Sequence, residues 1–331
     1  MKIFVYTLRE FDELPFFEKF SKQYGVEFGY TTQSPGPENY HLAKGYDAIS
    51  IITTPTPAEM IDAMKENGVK VISTRTIGYD HIDLDHARSI GLRVCSASYA
   101  PNGVADFTVM MILMCLRHYK QALWRGQVND FSLTGLQGRE MKDLTIGIIG
   151  TGRIGAQVAR NLSGFGCRIL AYDLRRNPAV EPQVTYVDFD TLLAQSDVIT
   201  LHMPLLDSNR HIINRESIAK MRDGVVIVNC SRGELADIEA LIEGIETGKI
   251  GALGMDTVEG DEGIIHADHR VDILPNRNWF YLHQFRNVIM TQHMAFYTDA
   301  AVSSMVDCGI GGVCQMAAGE SCPTELTGPV Q

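Results

Sequence analysis

The chain is predicted to fold as an α/β protein built from two parallel-sheet domains, and three observations carry this. Short apolar, β-branched runs alternate with segments of helical spacing along most of the sequence, the pattern of strands covered by helices on both faces. In mid-chain, Gly150-Thr151-Gly152-Arg153-Ile154-Gly155 joins one such run to a helix. The 331 residues suit two cores, since a domain usually holds ~100–150 residues.

Taken in order, residues 2–7 read as a strand, 14–24 as an amphipathic helix and 26–30 as a second strand. A Pro/Gly loop follows at 34–37. Residues 48–52 read as a strand, 53–57 as its exit loop, 58–67 as a helix and 69–73 as the next strand. In such sheets ligands bind beyond the carboxyl ends of the strands. That places Ile52-Thr53-Thr54 and Thr76-Ile77-Gly78-Tyr79 at the mouth of a cleft. After a short strand at 94–96, residues 98–103 break the pattern and mark the first crossing between domains. Residues 104–118 form a helix that is apolar nearly all round and must be buried; a subunit interface is one way to bury it. The alternation then resumes, with strands at 144–149, 168–172, 198–202, 225–229, 251–255 and 288–291 and helices at 212–221 and 238–247. Residues 299–314 are helical, and the polar tail 321–331 shows little sign of structure. The expected domains are 1–100 with 299–331, and 101–298, with a cleft between them.

The glycine turn has specific chemistry. In G-x-G-x-x-G, Gly150 allows a tight turn, Gly152 lets backbone approach a pyrophosphate, and Gly155 lets helix pack on strand. The helix start offers free N–H groups and a positive dipole end to phosphates. Asp173 ends the next strand, where its carboxylate can accept both ribose hydroxyls and repel a 2′-phosphate, favouring NAD. Arg175 and Arg176 soften that preference. Strand, turn, helix, strand and acid arrive in the order a dinucleotide site requires.

Composition excludes other classes. Hydrophobic residues make up 45% and charged residues 21%, ordinary for a globular protein. A net charge of −11 argues against nucleic acid or an anionic membrane as partner. No apolar stretch reaches the ~20 residues of a spanning helix, and no secretory leader is read at the N-terminus. The seven cysteines are scattered with no C-x-x-C pair, which suits reduced thiols in a cytoplasm. Cys95, Cys115 and Cys167 read as core. His266 and His269 have metal-like spacing but no further ligand nearby, so no metal is expected.

Three polar groups stand at strand ends: Arg232, the cluster Glu259-Gly260-Asp261-Glu262, and His293. Together with residues 75–83, 229–233, 255–260 and 291–298 and the glycine turn, they give a chain that resembles the D-2-hydroxyacid dehydrogenases nearly end to end. The branch is that of D-lactate, D-2-hydroxyisocaproate and vancomycin-resistance dehydrogenases. The resemblance implies two Rossmann-like or flavodoxin-like domains, NAD as cofactor, and reduction of 2-keto acids to (R)-2-hydroxy acids. It implies that Arg232 holds the substrate carboxylate and polarises the keto oxygen, and that His293 gives the proton. The carboxylate behind His293 falls at Asp261 where the family has Glu; Asp is one methylene shorter, and Glu262 or Glu259 is the alternative.

The same resemblance places Arg153 and Ile154 at the pyrophosphate, and Met203, Pro204 and Asn209 on the adenosine side. Cys230, Ser231 and Asp256 fall around the nicotinamide. Ile77, Gly78, Tyr99 and Phe296 fall at the substrate. Ile52 stands where relatives often carry an aromatic, which leaves room for side chains larger than methyl. His202 is expected to cap a strand near the cofactor, and the insertion-like stretch 266–280 has no assigned role. A homodimer in the cytoplasm is expected. The rival from another class is a dinucleotide-sensing protein like the corepressors of this architecture, which the full Arg, acid and His set disfavours; the nearer rival is another dehydrogenase of the same superfamily, such as a phosphoglycerate or formate dehydrogenase, and the acid at 261 disfavours formate oxidation.

Overall fold

The computed structural model describes residues 1–274 and 276–328; Pro275, within the stretch of unassigned role, and 329–331, the end of the polar tail, lie outside the described residues. In chain order the elements are β1 (Lys2–Val5), α1 (Leu14–Tyr24), β2 (Glu27–Tyr30), β3 (Ala48–Ile51), α2 (Ala58–Glu66), β4 (Val71–Thr74), α3 (Leu84–Ser89) and β5 (Arg93–Cys95). Then come α4 (Asn102–Leu116), α5 (Tyr119–Gln127), β6 (Thr145–Ile149), α6 (Arg153–Ser163), β7 (Arg168–Tyr172), β8 (Thr185–Tyr186), α7 (Phe189–Gln195) and β9 (Val198–Leu201). The chain ends with α8 (Arg215–Lys220), β10 (Val225–Asn229), α9 (Ile238–Glu246), β11 (Ile250–Met255), α10 (Arg277–Gln284), β12 (Val288–Met290) and α11 (Asp299–Ala317). Two compact units result, Met1–Ala100 with Tyr297–Gln331, and Pro101–Phe296.

The first unit is a five-stranded parallel sheet in the order β2-β1-β3-β4-β5. Alternation along its strands sorts side chains between two cores. Ile3, Val5 and Ala48 face α1 and α11 beside Phe17, Phe20, Val306 and Ile310. Phe4, Tyr6, Ile49 and Ile51 face the other way, among Met60, Met64 and Leu92. α1 begins with a proline in its first turn and stops at Gly25, whose φ of 64° ends the helix with a left-handed residue.

A buried ion pair locks the carboxyl ends of these strands. Arg75, fully buried, gives Nε to Glu13 Oε1 at 2.9 Å, a second nitrogen to Ser50 Oγ at 3.1 Å, and the third to the carbonyls of Tyr6 and Thr7. The end of β4 is thereby tied to β1, β3 and the residue preceding α1. Such a pair adds little net stability, but removing one partner strands the other's charge.

The second unit is a seven-stranded parallel sheet in the order β12-β11-β10-β9-β6-β7-β8. Strand order reverses at β6, which pairs with β7 on one side and β9 on the other. That switch point opens a crevice at the strand ends beside the glycine turn. α4 packs on α6 and on β10 and β11, burying Val104, Ala105, Met111, Ile112 and Cys115.

Several expectations shift. The helix expected at 104–118 begins at Asn102 and ends at Leu116, because His118 turns left-handed with φ 50°. A further helix, α5, then follows where none was read. The helix expected at 212–221 spans only Arg215–Lys220: Asn214 caps it by accepting from Ser217 N at 3.0 Å, while Ile213 pairs with Ala236 as an isolated bridge. Cys95 and Cys115 are core as expected, but Cys167 is only half-buried. The tail is structured through residue 328: Glu325 pairs with Cys95 in an antiparallel bridge, and Arg93 grips Glu325 through both carboxylate oxygens at 2.9 and 2.6 Å.

For Glu13→Ala we expect hydrogen exchange of the β1, β3 and β4 amides to show an opening free energy lower by about 3–5 kcal/mol, the cost of an unpaired buried Arg75. A change below about 1 kcal/mol would mean that the backbone carbonyls alone satisfy the guanidinium.

Candidate active site

The residues expected to carry chemistry in the second unit stand at the carboxyl edge of its sheet, each brought there by a strand that ends one or a few residues earlier. Gly150 leaves β6 with φ 92°, and a Cβ there would sit 2.6 Å from the carbonyl oxygen of His202. A Cβ on Gly155 would collide with the carbonyl of Gly150, so α6 can approach the turn only as glycine. A Cβ on Gly152, by contrast, would meet nothing within 4 Å. The turn is closed on its protein side and open where α6 presents its first N–H groups, which fits a pyrophosphate.

Asp173, at the end of β7, is held against this turn. Its Oδ2 accepts from Thr151 N at 2.6 Å and Thr151 Oγ1 at 3.1 Å, and its Oδ1 accepts from Arg175 N at 2.9 Å. Tyr186 donates to Thr151 Oγ1 at 2.8 Å, and Asn177 Nδ2 donates to the Thr151 carbonyl at 2.8 Å. Arg176 lies over the Tyr186 ring, 5.5 Å from its centroid. Neither Tyr186 nor Asn177 carries a local signal for this role; only the fold brings them to Thr151.

His202 follows β9 directly beneath the turn. Its Nε2 lies 2.9 Å from Thr200 Oγ1, and burial pushes its pKa down to about 3, so the ring is neutral. Beyond it, Asn209 ties its own loop by donating to the Pro204 carbonyl at 2.8 Å and accepting from Leu206 N at 2.8 Å. Ser231 Oγ reaches the Met203 carbonyl at 3.0 Å, which links the loops after β9 and β10. Cys230 is buried, and that burial raises its thiol pKa.

Arg232 follows β10 in extended backbone, its carbonyl accepting from Asn229 Nδ2 at 2.8 Å and its guanidinium donating to the Ser231 carbonyl at 2.9 Å. A Cβ at Gly233 would overlap the backbone of Val258. The missing side chain therefore lets the arginine loop lie on the acidic loop after β11. In that loop Asp261 Oδ2 accepts from Val258 N at 3.1 Å. Burial raises its pKa to about 6, with Glu234, Glu262 and Asp256 adding repulsion and the Val258 N–H opposing. Glu259 is committed elsewhere, with Oε1 2.7 Å from His211 Nε2. Glu262 is exposed.

Asp256, at the end of β11, is 1% exposed and both its oxygens are occupied. Oδ1 accepts from Thr291 Oγ1 at 2.6 Å and Met294 N at 2.9 Å, and Oδ2 accepts from Ala295 N at 2.8 Å. These bonds brace the loop after β12 around His293, which has φ 52°, a conformation that costs energy for a non-glycine residue and is found at functional sites. The His293 ring stands edge-on to Phe296 with centroids 6.4 Å apart. His266 enters unforeseen: its Nε2 lies 3.3 Å from the His293 carbonyl oxygen. Asn276, which caps α10, donates to the Gly260 carbonyl at 2.9 Å. The stretch of unassigned role is thus bonded to both loops. No group of three metal-binding side chains occurs among the described residues.

In the first unit, Thr76 Oγ1 donates to the Gly78 carbonyl at 2.6 Å, shaping the turn that carries Ile77 and Gly78. Ile52 is buried at the end of β3. Tyr99 follows β5, just before the chain leaves this unit.

Comparison with known proteins agrees with this geometry. Residues 109–295 match the family model for the NAD-binding domain of D-isomer-specific 2-hydroxyacid dehydrogenases. An aromatic 2-oxoacid reductase of Clostridium sporogenes is 43% identical over 93% of both chains. A D-lactate dehydrogenase of Lactobacillus delbrueckii subsp. bulgaricus is 40% identical over 92% of both. The NAD-complexed structure of a D-isomer-specific 2-hydroxyacid dehydrogenase from that organism superposes with a TM-score of 0.84 at 30% identity, covering 98% of this chain and all of that one.

Asp261 offers a pH test. The folded protein holds its proton more tightly than the unfolded chain, so the contribution of Asp261 to stability falls as pH rises from the ordinary 3.8 to about 6 and is then level. We expect Asp261→Asn to gain on the parent protein across that window in urea titrations followed by Trp fluorescence, since both tryptophans, Trp124 and Trp279, lie in this unit. A difference independent of pH would show that the carboxylate charge is already compensated in the folded protein.

Proposed function

The chain belongs to the D-2-hydroxyacid dehydrogenase family and reduces 2-keto acids with NADH; on that premise we propose that its substrates carry side chains larger than methyl, aromatic ones included, and that His293 is the proton donor. The observation that carries the acid–base assignment is the left-handed His293 braced by Asp256. The substrate class rests on Ile52 at the end of β3 and on the likeness to an aromatic 2-oxoacid reductase.

Arg232 binds the substrate carboxylate with its planar, permanently charged fork and draws electron density from the keto oxygen. By the family resemblance, Ile77, Gly78, Tyr99 and Phe296 are also assigned to the substrate. When bound, NADH supplies the hydride that the keto carbon accepts. The His293 imidazolium gives its proton to the keto oxygen and takes it back in the oxidative direction. Asp261 supports the charged imidazole; its raised pKa reflects burial, which a cationic neighbour would offset. The product is the (R)-2-hydroxy acid.

Gly150, Gly152, Arg153, Ile154 and Gly155 hold the pyrophosphate and Asp173 the adenosine ribose. Met203, Pro204 and Asn209 take the adenosine side, and Cys230, Ser231 and Asp256 the nicotinamide side. We further propose a cytoplasmic homodimer: Leu123, Trp124, Val128, Phe131 and Leu133 are all exposed on α5 and the loop after it, an apolar surface that a second copy would cover.

The test is NADH oxidation with pyruvate, 2-ketoisocaproate, phenylpyruvate, oxaloacetate and hydroxypyruvate. Phenylpyruvate and 2-ketoisocaproate should exceed pyruvate in kcat/KM by about tenfold or more, the scale on which an apolar pocket discriminates. A preference for pyruvate would overturn the substrate class and leave the reaction intact. His293→Ala should lose about 10²–10⁴ in kcat with NADH affinity unchanged; undiminished turnover would remove His293 from the acid–base role.

A further inference from the structure

The seven cysteines play no part in the chemistry above beyond Cys230, yet two of them meet. Cys95 ends β5, and Cys322 lies in the C-terminal segment, far away in sequence. The segment is laid along β5 by backbone bonds: Ser96 N donates to the Thr324 carbonyl at 3.0 Å and Leu326 N to the Val94 carbonyl at 2.8 Å. A turn closed by Glu325 N on the Cys322 carbonyl at 3.1 Å returns Cys322 toward the strand. Both sulfurs crowd the same glycine of α11, where a Cβ on Gly312 would lie 3.2 Å from Cys322 Sγ and 3.3 Å from Cys95 Sγ. Glycine leaves the space the sulfurs share.

We propose that Cys95 and Cys322 are a reversible dithiol–disulfide pair that fastens the C-terminal segment to β5 when a hydroperoxide oxidises it. Cys322 is the attacking thiol. Its Sγ lies 3.4 Å from Thr324 Oγ1, a bond that favours its thiolate, whereas Cys95 is fully buried. Cys322 is 7% exposed and flanked by the exposed Ser321 and Pro323, so its segment need open only locally to admit peroxide.

The Cys322 thiolate attacks one peroxide oxygen. An S–O bond forms, the O–O bond breaks, and hydroxide leaves, taking a proton to become water. Cys95 sulfur then attacks the resulting sulfenic acid; the S–S bond forms, the S–O bond breaks, and a second water departs with the Cys95 proton. Two thiols and one H₂O₂ give a disulfide and two waters, the sulfurs losing two electrons. The other thiols of this region are placed differently: Cys308 Sγ donates to the Ser98 carbonyl at 3.4 Å, and Cys314 is half-buried further along α11.

The full-length enzyme, treated with stoichiometric H₂O₂, alkylated and digested, should yield a peptide pair linked through Cys95 and Cys322, two hydrogens lighter than the free thiols. Dithiothreitol should reverse the link. In the oxidised protein, hydrogen exchange of residues 93–96 and 322–328 should slow about tenfold or more, as expected when a covalent tie suppresses local opening. The Cys322→Ser variant should show neither effect while reducing keto acids as before. It changes only the segment, so it serves even where Cys95→Ser disturbs the core. Separate alkylation of both cysteines after peroxide, a link from Cys322 to Cys308 or Cys314, or arrest of Cys322 as sulfinic acid would overturn the pairing.

Discussion

The loop that carries His293 stands on one buried carboxylate. Asp256 receives a hydroxyl and two backbone N–H groups from residues 291–295, and each is a bond to an ionised acceptor shielded from water. Bonds of that kind are about twice as strong as neutral ones. Together they offset a left-handed His293, which costs on the order of 1–3 kcal/mol. The strain is the price of aiming an imidazole from a loop of only a few residues. For the role proposed for His293, preorganisation of this sort would place the reorganisation cost in folding and spare the reaction.

The same principle governs the cofactor edge. Asp173 is oriented by Thr151, which is in turn held by Tyr186 and Asn177. The glycine turn is closed toward the protein, by His202 behind Gly150 and by Gly150 behind Gly155, and stays open at Gly152. A neutral His202 beneath the turn adds no charge of its own to the dipole and N–H groups of α6. The loops after β9, β10 and β11 are joined through Ser231 to Met203 and Gly233 to Val258, so groups far apart in sequence share one rigid edge.

Much of this was legible beforehand because its causes are local. Strands buried on both faces show as apolar runs, and a turn that must admit a pyrophosphate shows as glycines at set spacing. Resemblance to a family supplied Arg232 and His293, which no periodicity distinguishes from surface residues. The failures have equally physical reasons. A helix start at Asn214 depends on a side-chain cap, and the stop at Leu116 depends on a left-handed His118; apolar spacing registers neither. The tail looked unstructured because its partners, Arg93 and the edge of β5, lie more than two hundred positions away.

Sequence alone therefore determined the alternation of strand and helix, the dinucleotide turn and the family, since each is written in neighbouring residues. Tertiary structure decided which carboxylates remain available. Glu259 went to His211, Asp256 to the His293 loop, and Asp261 became half-buried with a raised pKa. It also decided that His266 meets the His293 backbone and that the sulfurs of Cys95 and Cys322 share the space over Gly312. Charge, burial and hydrogen-bond competition are properties of the space around a side chain, and that space exists only once distant segments have packed.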